Sequence, residues 1–397
     1  MSRASTLLVI PSIRTITVPY IQQLLVEGVD LLVVDDADGA VRYTLTEGEE
    51  PVDAAQARAA LGVEILHFTR ADIVAYLAQH HWEHVLPLIP QKNPSCKNFG
   101  LFYAWVNDYQ RILLLDDDCD TRITPGYLDA VPVSATGGVT TLGATLDCGA
   151  SGWVNPTQLL TDAPFYSRGF PYGVRGESQR LHKVGGPGVS PYGGGIVAKV
   201  VLNEGLWAGT PDINGIDKVQ WARRGGTPPV TMPDRRQSDP GLVALLGHRA
   251  RLPLSIMNVQ LSTDIVPLFW QPPDFALPDG WRIRRHDDVW ASLILGHCLR
   301  EDQHRSVGAP LIWHRKAGDE IAELLSEHPT NLAQMHLERL LNVDHEHTVE
   351  SLADTAFTHD YIGSRDTLQA AVGDYVLSAW RWNLALQRQI GRGAAIS

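Results

Sequence analysis

Arg111-Ile112-Leu113-Leu114-Leu115-Asp116-Asp117-Asp118-Cys119-Asp120 is the stretch on which the fold turns. A strand with one solvated face alternates apolar and polar residues. An unbroken apolar run such as Ile112–Leu115 is instead the mark of a strand covered by helices on both faces. The run stops at carboxylates, and in open α/β sheets it is the crevice beyond the carboxyl ends of the strands that receives ligands. Working outward, Thr6–Ile10 runs into Pro11-Ser12, and Val29–Val34 runs into Asp35, Asp36 and Asp38, with a mixed segment to Glu27 between them. Strand, turn, helix, strand is the opening of an α/β unit with a parallel sheet.

Two acidic strand ends then point at one crevice. Asp116, Asp117 and Asp118 hold like charges close together, and a hard divalent cation with oxygen ligands, Mg²⁺ or Mn²⁺, neutralises such a cluster while sharing substrate phosphates. A solvated acidic turn is the plainer alternative. His314, in Leu311-Ile312-Trp313-His314-Arg315-Lys316, follows another short apolar run and completes a ligand set, with Lys316 or Arg315 near a phosphate. Asp287-Asp288 precedes an apolar helical stretch, Val289 to Leu299. The pair reads either as acids favoured by the helix dipole or as carboxylates facing a sugar. Arg168, Arg175 and Arg180 lie in SRGFPYGVRGESQR, a loop pattern, and are either solvated charges or bidentate ligands for pyrophosphate.

The 397 residues, 44% hydrophobic and 20% charged, can bury a large core and exclude disorder and collagen. A net charge of −12 argues against coating nucleic acid. The four cysteines form no CxxC pair, which fits a reducing cytoplasm. Thr6–Ile10 is shorter than a secretory core of about 7–15 residues, and no run approaches the ~18 residues that span a bilayer. From Thr136 to Gly247 glycine, proline and aromatics predict loops and short strands, with Gly185–Gly195 as a lid. After Gly318 the texture turns helical: Leu332, Met335 and Leu340 follow a cap at Thr330, and Leu368, Val372, Tyr375, Val376, Ala379 and Leu386 recur at helical spacing. The expected division is therefore 1–317 and 318–397. His80-His81 with His84, and Asp344-His345-Glu346-His347, have metal-like composition but match no recognised ligand spacing. The glycine clusters form neither GxGxxG nor GxxxxGK[ST].

Taken in order, six regions resemble the reversibly glycosylated polypeptide family, which includes the plant UDP-arabinopyranose mutases: TLLVIPSIR with VVDDAD, SCKNFGLF with ILLLDDDCD, SRGFPYGVRGE, NEGLWAGTPDINGID, RRHDDVWAS and PLIWHRKAG. The resemblance implies a GT-A-like (Rossmann-like) nucleotide-sugar fold that uses a divalent metal, Mn²⁺ or Mg²⁺, and no flavin. It places Asp116, Asp118 and His314 on the metal. Pro11, Ser12, Arg14, Asp36, Asp38, Asp116, Asp117 and Lys316 fall on the nucleotide, and Arg168, Trp207 and Asp212 on the substrate. Arg175 falls on the arginine that the family glycosylates reversibly, and Asp287 and Asp288 on the acidic pair facing the sugar. The implied activity interconverts pyranose and furanose forms of a GDP- or UDP-linked sugar, of the GDP-L-galactose or UDP-arabinose type; bacterial members suggest antibiotic biosynthesis as the setting. Partners are the nucleotide sugar and a second copy of the chain, with neither nucleic acid nor membrane. Transfer of the sugar to an external or protein acceptor is the alternative, and a sugar-nucleotide-binding scaffold subunit a third. Ser12 for Thr, His286 for Tyr and Gly176-Glu177 for Glu-Gly depart from the family pattern and bear on the sugar pocket.

Overall fold

The computed structural model describes residues 5–160, 165–177, 179–183, 195–210, 212–223, 242–277, 280, 282–315, 320–343 and 346–393. Thr6–Ser12 (β1), Asp30–Asp35 (β2) and Ile65–Thr69 (β3) pair in parallel, and Arg111–Leu115 (β4) joins the other side of β1, giving the order β3-β2-β1-β4. Gln22–Val26 (α1), Ala54–Leu61 (α2), and Arg70–Gln79 (α3) with Asn98–Val106 (α4) make the crossovers between them. The apolar runs are buried as their composition demands: Leu7, Leu8, Val9, Leu31, Leu32, Leu113 and Leu114 have no exposed surface. Asn98–Val106 is apolar all round and lies inside the molecule. It presses on β1 so closely that a Cβ on Gly100 would collide with Val9.

The sheet continues through Cys119–Asp120 (β5), Ala144–Asp147 (β6), Arg180–Lys183 (β7), Val200–Gly209 (β8), Val243–Leu246 (β9), Asn258–Ser262 (β10) and His304–His314 (β11). Its full order is β7-β6-β9-β11-β8-β10-β4-β1-β2-β3, with β5 paired to β11, so parallel and antiparallel contacts are mixed beyond β4. The result is a mixed α/β fold around one large sheet. Loops and short strands were expected throughout Thr136–Gly247, and there the structure corrects the reading. β8 is a ten-residue strand at the middle of the sheet. Asn203 and Glu204 interrupt its apolar run, but both are fully buried; Asn203 Nδ2 donates to Gln260 Oε1 at 2.5 Å and Ala309 O at 2.9 Å. Internal hydrogen bonds replace the hydration that polar residues otherwise need.

Gly215–Arg223 (α5) and Asp287–Cys298 (α6) flank the sheet, and Glu320–Val343 (α7), Val349–Thr358 (α8) and Thr367–Gly393 (α9) form the helical C-terminal region. α9 buries Val372, Tyr375, Val376, Ala379 and Leu386 as its periodicity predicts. It docks on the segment after β10, where Trp382 Nε1 donates to Val266 O at 2.8 Å and Asn383 Nδ2 to Pro267 O at 3.1 Å. The stripe expected on α7 is corrected. Thr330 caps nothing: it lies inside a helix that begins ten residues earlier, and its hydroxyl holds Arg284 O and the Arg284 N–H, each at 3.0 Å. Leu332 and Met335 are 41% and 50% exposed, whereas Leu340 is buried as expected and is joined on the buried face by Ala333 and Leu337. Among the described residues no helix is long and apolar enough to cross a membrane.

Candidate functional site

The carboxyl ends of β1, β2 and β4 open into a cleft of about 600 Å³. Pro11, Ser12, Arg14, Asp36, Asp116, Asp117 and Asp118 line one side, and Arg168, Asp212, Asp287 and Asp288 the other, with His314 between. The parallel register of β1 on β4, Val9 opposite Leu114, carries Ser12 to the acidic turn. There the Ser12 hydroxyl donates to Asp117 Oδ2 at 2.6 Å. Arg14 forks onto the same carboxylate, its Nε 3.2 Å from Oδ2 and its Nη2 on Oδ1, and Nη2 also stands 3.2 Å from Asp118 Oδ2. Burial raises the Asp117 carboxyl above its usual range, moderated by these bonds from Ser12 and Arg14.

His314 arrives because β11 pairs with the short strand after the triplet, His314 opposite Cys119. Its Nδ1 lies 2.8 Å from Thr210 O. A carbonyl only accepts, so Nδ1 carries a hydrogen, and Nε2 faces Asp118 Oδ1, 3.6 Å away. Among the described residues no group of three or more His, Cys, Asp or Glu side chains gathers as a metal cluster. The donor chemistry nevertheless suits a hard cation. One carboxylate oxygen and one imidazole nitrogen stand close enough to share an ion of the Mg²⁺ or Mn²⁺ kind, which takes its other ligands from phosphates and water.

Asp116 turns instead toward Lys97, whose Nζ lies 3.3 Å from Asp116 Oδ1. The ammonium is 1% exposed at the start of α4. Burial works against its charge, but Asp116, Asp287 and Asp288 outweigh burial and raise its pKa. Reciprocally, burial opposes ionisation of Asp116 while Lys97 and then His314 hold that carboxyl below its usual range. Lys97 was not read as a site residue. The signal was a lone lysine heading the apolar segment NFGLFYAWV, where a charge must have a buried partner.

The opposite wall is an ion-pair network. Arg168 Nε and Nη2 reach Asp212 at 3.1 to 3.2 Å, and Nη1 and Nη2 reach Asp288 at 3.0 and 2.7 Å. Ser255 Oγ donates to Asp212 Oδ2 at 2.7 Å, and the Ile256 N–H to Asp288 Oδ2 at 3.1 Å. Burial opposes every charge here. Asp212 and Asp288 outweigh it for Arg168, which is raised well above its ordinary value, and Arg168 holds Asp212 far below its own. Beneath them, burial pushes Glu204 well above the carboxylate range and pulls His286 down to about 3, the latter helped by Arg168 and Arg285. Asp287 and Asp288 occupy the first turn of α6, so the helix-dipole reading and the site reading both apply. Burial, then the adjacent Asp288 charge, push Asp287 up to about 6. Ser95 Oγ donates to Asp287 Oδ2 at 3.3 Å.

Other expected residues lie elsewhere. Asp36 faces the cleft, but its oxygens accept the Lys92 and Asn93 N–H groups, both at 2.8 Å. Asp38 stands outside the walls, 61% exposed and 3.4 Å from Lys92 Nζ. Trp207 is 1% exposed within β8 and contributes to the core. Arg175 is off the cleft walls: it donates to Asp217 Oδ1 and Oδ2 at 2.9 and 3.1 Å, flanked by the Tyr166 and Tyr172 rings, each 4.8 Å away. Lys316 and nearly all of the expected lid, 184–194, lie outside the described residues. Of the discounted histidines, His80 stacks on Trp82 at 4.7 Å.

Arg175→Ala removes the countercharge of a buried carboxylate, Asp217 being 3% exposed. The variant is expected to lose about 1–3 kcal/mol of stability and, the position being off the cleft walls, to leave any ligand binding in the cleft unchanged. Chemical denaturation and calorimetric titration measure the two.

Compared with known proteins, the chain matches no family model and no curated protein sequence.

Proposed function

We propose that the cleft binds a nucleoside-diphosphate sugar and that the protein interconverts its pyranose and furanose forms. The observation that carries this reading is the division of labour between the walls. Asp118 and His314 stand 3.6 Å apart on one side, and on the other a carboxyl raised to about 6, Asp287, is poised to gain and lose a proton near neutrality. We read the fold as GT-A-like and the chain as a relative of the reversibly glycosylated polypeptides, on the ordered motifs and on acidic strand ends gathered at one crevice.

In this reading Pro11, Ser12, Arg14 and Asp36 border the nucleotide, and Asp118 with His314 would hold Mn²⁺ or Mg²⁺, which would supply charge neutralisation for a diphosphate leaving group. Arg14, 46% exposed on its side chain, has room to turn from Asp117 to a phosphate. Lys97 keeps Asp116 ionised and adds a fixed positive charge beneath the site. With the diphosphate detached, the bond from the anomeric carbon to the ring oxygen breaks and a bond to the neighbouring 4-hydroxyl oxygen forms. Asp287 takes the proton of that hydroxyl and delivers it to the freed ring oxygen, and the diphosphate then returns. Arg168 fixes Asp288, and through it the first turn of α6, so that Asp287 keeps its place.

Incubation of the protein with GDP- and UDP-sugars and Mn²⁺, without acceptor, tests the proposal: the furanose isomer is the expected product, whereas hydrolysis alone favours transfer to an external acceptor. Because Asp287 must be ionised to accept the proton, turnover should rise with pH through an inflection near 6. The inflection belongs to the Asp287–Asp288 pair as a unit. Asp287→Asn should remove that limb and lower turnover by about 10²–10⁴-fold, measured as kcat against pH.

A further inference from the structure

A second depression, of about 560 Å³, opens at the opposite end of β11. Its floor is Arg305, 3% exposed. Arg305 and His314 lie nine residues apart on that strand, which at extended rise puts about 30 Å between this bowl and the first cleft. The Arg305 guanidinium lies against Gly296 of α6 and donates to three backbone carbonyls, Ser292 and His248 at 3.4 Å and Ala250.

Carbonyl dipoles satisfy donors but carry no net negative charge, and buried ions are ordinarily paired with opposite charge. Among the described residues no carboxylate forms an ion pair with Arg305. The nearby acids serve others, Glu338 pairing with Arg251 at 3.5 Å and Asp302 with Arg300 at 3.1 Å. Of the lining cations Arg251 and Arg300 are paired, which leaves Arg249 and the buried Arg305 against Glu301, with the His248, His297 and His347 rings as further polar groups. His248 registers that field. Burial, then Arg305 and His304, pull its imidazole below the ordinary value, against a smaller opposing pull from Glu301.

We propose that this bowl binds a small, multiply charged phosphate anion at a site separate from the sugar-nucleotide cleft. The volume falls in the range of small-molecule pockets, about 300–1,000 Å³, and guanidinium forks with imidazole N–H groups match phosphate oxygens. The inference stands whether or not the reading of the first cleft does.

The test follows the imidazole ¹H–¹⁵N signals of the metal-free protein in EDTA during titration with inorganic pyrophosphate, then with orthophosphate. The His248 and His347 signals should move saturably, and the apparent pKa of His248 should rise by about one unit as an anion enters. Arg249→Glu, a change at an exposed position, should weaken the response about tenfold, and Arg14→Ala in the first cleft should leave it unchanged. Tighter binding of pyrophosphate identifies a polyphosphate-type ligand and equal binding a single phosphate group; either supports the site. Signals that stay still at millimolar anion, respond equally in Arg249→Glu, or cease to respond in Arg14→Ala overturn it, leaving Arg305 as a staple between α6 and the loop 248–250.

Discussion

Asp118→Asn should lower Mn²⁺-dependent turnover by about 10³-fold, the upper range for removing one preorganised electrostatic group, while the fold survives. The substitution keeps the shape of the side chain and removes its charge. His314 remains tied to Thr210 O at 2.8 Å, so the imidazole keeps its orientation and loses the anionic partner with which it would share an ion. Stability should change by less than about 1 kcal/mol, because the ion pair is open to solvent on the arginine side and Arg14 still has Asp117. The informative measurement is paired: nucleoside-diphosphate binding with and without Mn²⁺, and product formation from the sugar nucleotide. The parent should bind more tightly with Mn²⁺ and the variant equally in both conditions. A variant that turned over at the parental rate would remove the Asp118–His314 pair from the mechanism.

How much of this was legible beforehand follows from what local sequence can encode. Ile112–Leu115, Thr6–Ile10 and Val29–Val34 are buried on both faces, and such strands announce themselves without knowledge of their neighbours. Their acidic ends located the cleft for the same reason. β8 was not legible, because Asn203 and Glu204 look like a solvated break until Gln260 and Ala309 from other strands take up Asn203 and the Ser255 N–H meets one oxygen of Glu204. Thr330 looked like a cap because threonine favours that position, yet its hydroxyl is spent on Arg284. Within the site, Asp287, Asp288, Arg168, Asp212 and His314 do meet Asp116–Asp118 around one cavity. Arg175 shares the loop of Arg168 but faces Asp217 instead, since motif order says which segments belong together and nothing of which way each side chain turns. Lys97 was hidden by the opposite effect: its apolar surroundings read as core, and only the contact with Asp116 explains its charge.

Arg168→Met should cost about 3–5 kcal/mol, the range for breaking a buried ion pair from one side. Here one guanidinium bridges two carboxylates, Asp212 and Asp288, whose side chains are 11% and 1% exposed. Methionine fills much of the volume and leaves both acids without their cation. Arg168→Lys should recover only part of the loss, because a point charge cannot fork onto two carboxylates at once. The pH dependence separates this electrostatic account from simple packing. In the parent, Arg168 overcomes burial and holds Asp212 far below its usual range, so that contribution is present above the unfolded-state pKa of about 3.9 and fades only as pH falls through the lower folded value. In the variant burial meets only the weaker pulls of Lys218, Arg285 and the Ser255 hydroxyl, so Asp212 rises toward or past about 3.9; past it the sign reverses, and the folded state loses stability as pH rises through the gap between the two values. The deficit against the parent, read from urea midpoints, should therefore be widest at pH 7–8 and shrink steadily toward pH 4. A deficit independent of pH would mean that Arg168 matters as volume alone. Its link to Asp288, and through Asp288 to the proton transfer proposed for Asp287, would then have no energetic basis.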